Sequence, residues 1–354
     1  MGEASPVRKK PLSEQVIVVT GASTGLGRAV ARAAGKCGAS VVCAARNAAA
    51  LDAAVREIED YGAEALAVPF DAASQDDCNV VVERAVDRFG RIDSFVRCHM
   101  VAVFGEIEKL TADELRRVMD VNFIGSVYCY WAVLPHLKES RGTFVDVNSA
   151  LAYRGIPLQA VYCASKAALR TFFESARVEL EKEGAGVDIC VTLPGAIDTP
   201  HFDRARQKLG LQPQPVPPIY EPEPFADVVL HCCEHPYREL PIGWGAQKAL
   251  WAQKIAPRLV DHALRRTGWS SQTTGEPKPI DSPDNLFETV PGDPGSRGRF
   301  GGQARSRTIW TTLRLHPGLT TVLALLGIGM PAAVARVAQH NGHTGRLRRA
   351  SRIG

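Results

Sequence analysis

Seven short apolar runs recur along the first 243 residues: QVIVVT (15–20), SVVCAA (40–45), EALAVPF (64–70), IDSFVR (92–97), GTFVDVNS (142–149), VDICVTLP (187–194) and RELPIG (238–243). The stretches between them repeat apolar residues at helical spacing, as in Leu51, Val55, Ile58 and in Val81, Ala85, Phe89. Parallel strands need helical crossovers, so this alternation predicts an α/β fold: a Rossmann-like, doubly wound parallel sheet of about seven strands with helices on both faces. The pattern places this domain at residues 12–245, behind a flexible arm at 1–11 that has almost nothing to pack. There is no internal repeat.

Beyond the sheet the pattern changes. In AQKALWAQKIAPRLVDHALRR (246–266), Leu250, Trp251, Ile255, Leu259 and Ala263 form one stripe that Pro257 interrupts. This predicts an amphipathic helical extension over 246–274 that covers the domain, makes a subunit contact in a homo-oligomer, or lies in a membrane interface. Residues 275–303 are rich in Pro and Gly and read as a linker. In the tail, 304–354, the segment 315–335 carries no formal charge. As a helix it would be roughly 31 Å long, enough to span hydrocarbon. A packed or oligomer-forming helix is the other reading of it.

Charge sharpens this division. The net charge is +4, yet no acid follows Asp293 while ten arginines do, which leaves 32 basic against 38 acidic residues in the rest of the chain. The arginines lie on both sides of 315–335, so they set no membrane orientation. Without interleaved aromatics they suit phosphate only generically, and nucleic acid is not the expected partner. Nine cysteines without regular spacing, and no charged-then-apolar leader, predict a reducing, cytoplasmic location, with membrane association resting on the tail alone.

The first crossover carries TGASTGLG, Thr20 to Gly27, between a strand and a helix. Glycines there permit a tight turn and let backbone N–H groups approach a pyrophosphate at the positive end of the helix. Further along, YCASK puts Tyr162 and Lys166 four residues apart on one helix face, and Ser149 ends the strand before it.

Together with Asn122 in DVNFIGS and the segment LPGAIDT (193–199), these motifs resemble the short-chain dehydrogenase/reductase family over about residues 12–243. The resemblance implies a catalytic tetrad of Asn122, Ser149, Tyr162 and Lys166, with Ser149 holding the substrate oxygen and Asn122 a proton-relaying water. It also implies that Lys166 grips the nicotinamide ribose. Cofactor contacts would come from Gly21, Ser23, Thr24, Gly25, Leu26 and Gly27 in the turn, from Asp71 beside the adenine, and from Pro194, Gly195, Ile197 and Thr199 at the nicotinamide. The implied reaction interconverts a carbonyl and a secondary alcohol.

The chemistry follows from elementary electrostatics as well. Hydride transfer to or from a carbinol carbon requires a proton to move at oxygen, and a phenol near pKa 10 is a poor base at neutral pH. Lowering it by three units takes about 4 kcal/mol, and an ammonium roughly 5 Å away at an effective dielectric near 20 supplies about 3 kcal/mol. Lys166, one turn from Tyr162, is the expected source. At the end of the second strand an NAD enzyme needs a carboxylate for the ribose hydroxyls, whereas Ala45 and Arg46 stand here. A cation suits a 2′-phosphate, which favours NADP(H) over NAD(H).

Two stretches stand apart. RCHM (97–100) occupies the place where the family has Asn-Asn-Ala-Gly, and Met100 adds bulk where a backbone would lie close to the cofactor. It reads as a replaced motif rather than a metal site, since neighbours on a strand face opposite ways. It also leaves open a catalytically silent nucleotide-binding scaffold held at a membrane by its tail. HCCEH (231–235) falls in a predicted helix, where its cysteines are core filler and no metal is expected. The proline-rich segment 200–222, with LAYRGIP (151–157) and VAVFG (101–105), predicts an apolar pocket for a hydrophobic ketone or alcohol.

Overall fold

The protein, seen in a computed structural model, is described over residues 9–306. The expectations for residues 1–8 and for 307–354, including the apolar segment 315–335, lie outside the described residues. Strands β1 (Val16–Thr20), β2 (Ser40–Ala45), β3 (Ala65–Pro69), β4 (Ser94–Arg97), β5 (Thr143–Val147), β6 (Asp188–Pro194) and β7 (Glu239–Ile242) form one sheet. Its order is β7-β6-β5-β4-β1-β2-β3, and every pairing is parallel. The order reverses between β1 and β4, so the connections leave the carboxyl ends of these strands in opposite directions and open a crevice.

Helices α1 (Gly25–Lys36), α2 (Ala48–Glu59) and α7 (Pro222–Glu234) pack together, as do α3 (Gln75–Phe89) with α5 (Gly125–Ser140) and α4 (Ala112–Met119) with α6 (Ala160–Glu183). Local chemistry sets their ends. Asn47 and Ser74 accept the N–H groups of Ala50 and Asp77 as caps of α2 and α3, and Gly90 ends α3 with φ at +74°. Thr111 and Glu114 cap α4 reciprocally. A single π turn, Asp120–Ile124, joins α4 to α5 and carries Asn122. Between sheet and helices, Phe95 and Phe144 stack at 5.3 Å, with Tyr130 and Phe173 edge-on and tilted against Phe144.

Three expectations at the chain's margins are corrected. The end of the arm is anchored: Lys9 pairs with Asp188 at 2.7 Å and donates to the carbonyls of Arg141, Gly142 and Gly186. Pro257 splits the extension into α8 (Trp244–Ile255) and α9 (Pro257–Thr267), since it has no N–H for a continuous helix. Of the apolar stripe only Leu250 is buried, while Ile255 and Leu259 are 82% and 71% exposed among the described residues. The other face of α9 turns Val260 and Leu264 to the crevice.

The third correction concerns 275–303. It is not a free linker but a strap laid across the domain. Thr273–Pro277 pairs antiparallel with Leu211–Pro213, Asp284 meets Arg206 at 2.8 Å, and Arg305 bonds through its main chain to Ile219 and Glu221. Leu286 is fully buried in the main core and Phe300 nearly so, with its N–H on Asp198 at 3.0 Å. Leu286→Ala should therefore lower stability by about 2–4 kcal/mol in urea unfolding, the range for truncating a buried leucine. In a solvated linker the same change would cost almost nothing.

Candidate active site

The crevice is floored by a close approach of backbones. A Cβ on Gly21 would sit 2.8 Å from the His99 nitrogen, and one on Gly27 would sit 2.2 Å from the Gly21 carbonyl oxygen. Gly21 and Gly25 also take φ of +70° and +59°, which a side chain would resist. Only glycine lets the β1–α1 turn press against the end of β4. Leu26 and Gly27, at the start of α1, have N–H groups with no carbonyl within the helix to bond. They line a cavity of about 510 Å³ together with Gly21, Ser23, Thr24 and Gly25.

Every other cofactor residue expected from the sequence, Arg46, Asp71, Tyr162, Lys166, Pro194, Gly195, Ile197 and Thr199, borders the same cavity. Burial alone would raise the Asp71 carboxyl, but a 2.6 Å pair with Arg117, the Ala73 N–H and nearby Arg46 hold it below its usual value. Arg46 is already engaged. It donates to the main-chain carbonyls of Asn285, Leu286 and Phe287 on the strap, at 2.5, 3.5 and 3.1 Å. A guanidinium has five N–H donors, so some remain for a further oxygen.

Of the expected tetrad, Ser149, Tyr162 and Lys166 border the cavity. Asn122 does not: it is fully buried behind, its side chain pairing with both main-chain groups of Val101 at 2.8 and 2.9 Å. Lys166 Nζ donates to the Val147 carbonyl at 3.1 Å and lies 5.6 Å from the centre of the Tyr162 ring. Burial, and then the neighbouring Arg97, push the lysine well below its ordinary pKa. Tyr162 departs from expectation in the other direction. Burial lifts its phenol to about 12, against the opposing pull of the Ser149 hydroxyl and of Arg97.

RCHM proves to be built into the scaffold. Arg97, fully buried, donates to Asp146 at 2.5 Å, to the His99 carbonyl at 2.8 Å and to the Val147 carbonyl at 2.5 Å. Its neighbours across the sheet are Thr20 and Asp146. His99 sets Nδ1 against the Thr20 hydroxyl at 2.8 Å and Nε2 against that of Ser126 at 3.2 Å. Cys98 and Met100 face the cavity.

Sequence reasoning missed part of the wall. Asn285, Thr289, Val290 and Pro294 of the strap border the cavity, as do Ala249, Val260 and Leu264 of α8 and α9. Proline and glycine content masked the first group, and no motif marked the second. Leu151, Ile156 and Phe202 pack in one apolar cluster with Tyr162, and they border the cavity together with Val216, Arg154 and His201. Burial and the charge of Lys278 lower His201 to about 4, so its imidazole is neutral at ordinary pH.

With this geometry in hand, similarity to known proteins is informative. The model of the short chain dehydrogenase family matches residues 15–210. An uncharacterized oxidoreductase of Bacillus subtilis, YxnA, is 35% identical over 333 residues, 93% of either chain. The 11-beta-hydroxysteroid dehydrogenase A of Sesamum indicum is 36% identical over 189 residues, 52% of this chain and 53% of its own length. A short chain dehydrogenase from Burkholderia cenocepacia in complex with NADP superimposes with a TM-score of 0.61 and 26% identity, over 72% of this chain and 99% of that one. An alcohol dehydrogenase from Thermococcus sibiricus complexed with 5-hydroxy-NADP gives 0.57 and 25%, over 64% and 95%.

The buried His99 has a consequence for stability. Burial, with Arg97 and Lys166 nearby, pushes its pKa well below the ordinary 6.5. The unfolded chain takes up a proton as pH falls through about 6.5 and the folded chain does not, so stability present above that pH is lost below it. The loss approaches about 1.4 kcal/mol per pH unit. In urea unfolding between pH 7.5 and 5.5, wild type should therefore lose more stability than His99→Gln. Parallel losses would mean that the imidazole is not held neutral.

Proposed function

The chain belongs to the short-chain dehydrogenase family, and we propose that this oxidoreductase interconverts a ketone and a secondary alcohol on a hydrophobic substrate with NADP(H). One observation carries the proposal: Ser149, Tyr162 and Lys166 border the same cavity as the glycine turn. Proton transfer and cofactor binding thus share one space. Thr199 and Tyr162, which border the same cavity, would help hold a nicotinamide, whose chemistry is to give or take a hydride. Glycines that admit backbone approach, and the free N–H groups at the start of α1, fit its pyrophosphate.

The residues divide the remaining work. The Ser149 hydroxyl orients the substrate oxygen toward the Tyr162 phenol, which exchanges the proton. Lys166 has one acceptor, the Val147 carbonyl, among the described hydrogen bonds. That leaves N–H donors for the hydroxyls of a ribose. A phenol at about 12 is protonated in the free protein. It is therefore set first as the acid for carbonyl reduction. As a base for alcohol oxidation it needs further positive charge, which Arg97 supplies in part and an oxidised nicotinamide would add.

The apolar lining around Leu151, Ile156, Phe202 and Val260 speaks for a hydrophobic substrate. The 11-beta-hydroxysteroid dehydrogenases among the relatives make a steroid-like or lipid-like carbonyl compound the first class to try. For the cofactor, Arg46 in place of a carboxylate and the NADP complexes of the structural neighbours speak for the phosphorylated form.

Two measurements test this. NADPH should bind more tightly than NADH, and Arg46→Ala should shrink that ratio by roughly ten- to hundredfold, the worth of charge-assisted hydrogen bonds to the 2′-phosphate. Taking the ratio cancels any effect of releasing the strap, which both nucleotides feel alike. Equal affinities in wild type would remove the preference.

In a screen of hydrophobic ketones with NADPH, Tyr162→Phe should keep nucleotide affinity within a few-fold. It should lose turnover by about two to four orders of magnitude, the usual range for a general acid. Turnover of the variant at the wild-type rate would refute the assigned chemistry.

A further inference from the structure

The strap crosses the cofactor crevice and is tied to both of its banks. On the bank formed by β1, α1 and the β2–α2 turn, Asn47 donates to the carbonyls of Val290 and Gly292, each at 3.3 Å. The Gly25 N–H and the Thr24 hydroxyl donate to the Gly295 carbonyl at 3.0 and 3.2 Å. On the bank that follows β6, Arg204 donates to the carbonyls of Val290 and Pro291 at 3.0 and 3.3 Å. Val290 is thus held from both sides. The cavity lies beneath it, bordered from above by Asn285, Thr289, Val290 and Pro294.

Among the described residues one ion pair fastens the span. Arg28 of α1, whose side chain is 3% exposed, pairs with Asp293 of the strap and with Glu57 of α2. Asp293 also accepts the Gly295 N–H at 3.1 Å, which shapes the loop that reaches Gly25. The other ties of the crossing segment, from Asn47, Arg204 and Arg46, are hydrogen bonds to its main-chain carbonyls, so this is its one ion pair among the described residues and the one tie that a change of a strap side chain removes.

Resting on the reading of the crevice as a nicotinamide nucleotide site, we propose that residues 285–295 form its outer wall. The dinucleotide is enclosed beneath the strap and exchanges only when the strap lifts, with Arg28–Asp293 as the latch. The wall covers the adenosine end, where Arg46 and Asn47 stand, and leaves the substrate end bounded by α8 and α9. Substrate then turns over without the strap opening, while replacement of spent cofactor requires it.

Stopped-flow fluorescence of NADPH binding to the full-length protein tests this. In Asp293→Ala the dissociation and association rates should both rise by about tenfold or more, the scale of one charge-assisted contact holding a segment closed, with the dissociation constant moving less than threefold. Glu57→Gln removes the other partner of Arg28 without touching the strap and should exchange cofactor within twofold of wild type. Equal rates in wild type and Asp293→Ala would overturn the wall.

Faster association with unchanged dissociation would overturn it too, by showing that the strap competes for the site instead of roofing it. So would acceleration by Glu57→Gln equal to that of Asp293→Ala, which would trace the effect to α1. Failure of wild type to bind either NADPH or NADH would overturn the nucleotide reading itself, and the wall with it.

Discussion

The buried pair of Arg97 and Asp146 is the constraint on which the site depends. Both side chains are fully buried at the carboxyl ends of adjacent strands. Withdrawing two such ions from water costs several kcal/mol each, so the pair persists only because its hydrogen bonds are met. Arg97 finds the His99 and Val147 carbonyls besides Asp146, and Asn148 donates to the second carboxylate oxygen at 2.8 Å. Each of those partners is itself part of the site. Val147 also receives Lys166, Asn148 also donates to the Lys166 carbonyl, and Ser149 follows directly. The pair therefore fixes the strand end from which the serine projects and the acceptor that orients the lysine.

That arrangement also sets the charge around the tyrosine. Sequence spacing suggests that Lys166 lowers the Tyr162 phenol from one turn away. In the folded protein burial dominates: it raises the phenol and depresses the lysine together, while the neighbouring Arg97 opposes the first and reinforces the second. Burial thus keeps the phenol protonated, and only added positive charge beside it would favour the tyrosinate.

The sheet and most of the site were legible because their signals are local. A strand announces itself by a short apolar run, the glycine turn by its spacing, and Tyr162 and Lys166 by a helical interval; all seven runs became strands of one sheet. Charge and exposure were less legible. RCHM looked like a degraded motif because nothing in sequence pairs Arg97 with an aspartate 49 residues away. Asn122 carried the expected identity, but a π turn points its amide at Val101. The stripe from Leu250 to Ala263 had the right period, yet Pro257 rotates its second half onto a separate helix.

The strap escaped notice for a more instructive reason. Arg46, Asn47, Arg117 and Arg204 all hold it through main-chain carbonyls, groups that every residue possesses. Such contacts constrain the path of the chain without constraining the side chains along it. What they do require is a backbone able to turn often and present carbonyls outward, and proline and glycine serve that need: Gly292 and Gly295 take φ of +86° and +67°. The composition that reads as a flexible linker is thus also that of a segment held in large part by its carbonyls. The distinction lies in the donors, not in the segment. Arginines and an asparagine on the banks of a crevice, spaced to meet oxygens, suit a phosphate, and the same spacing lets them hold a peptide as well.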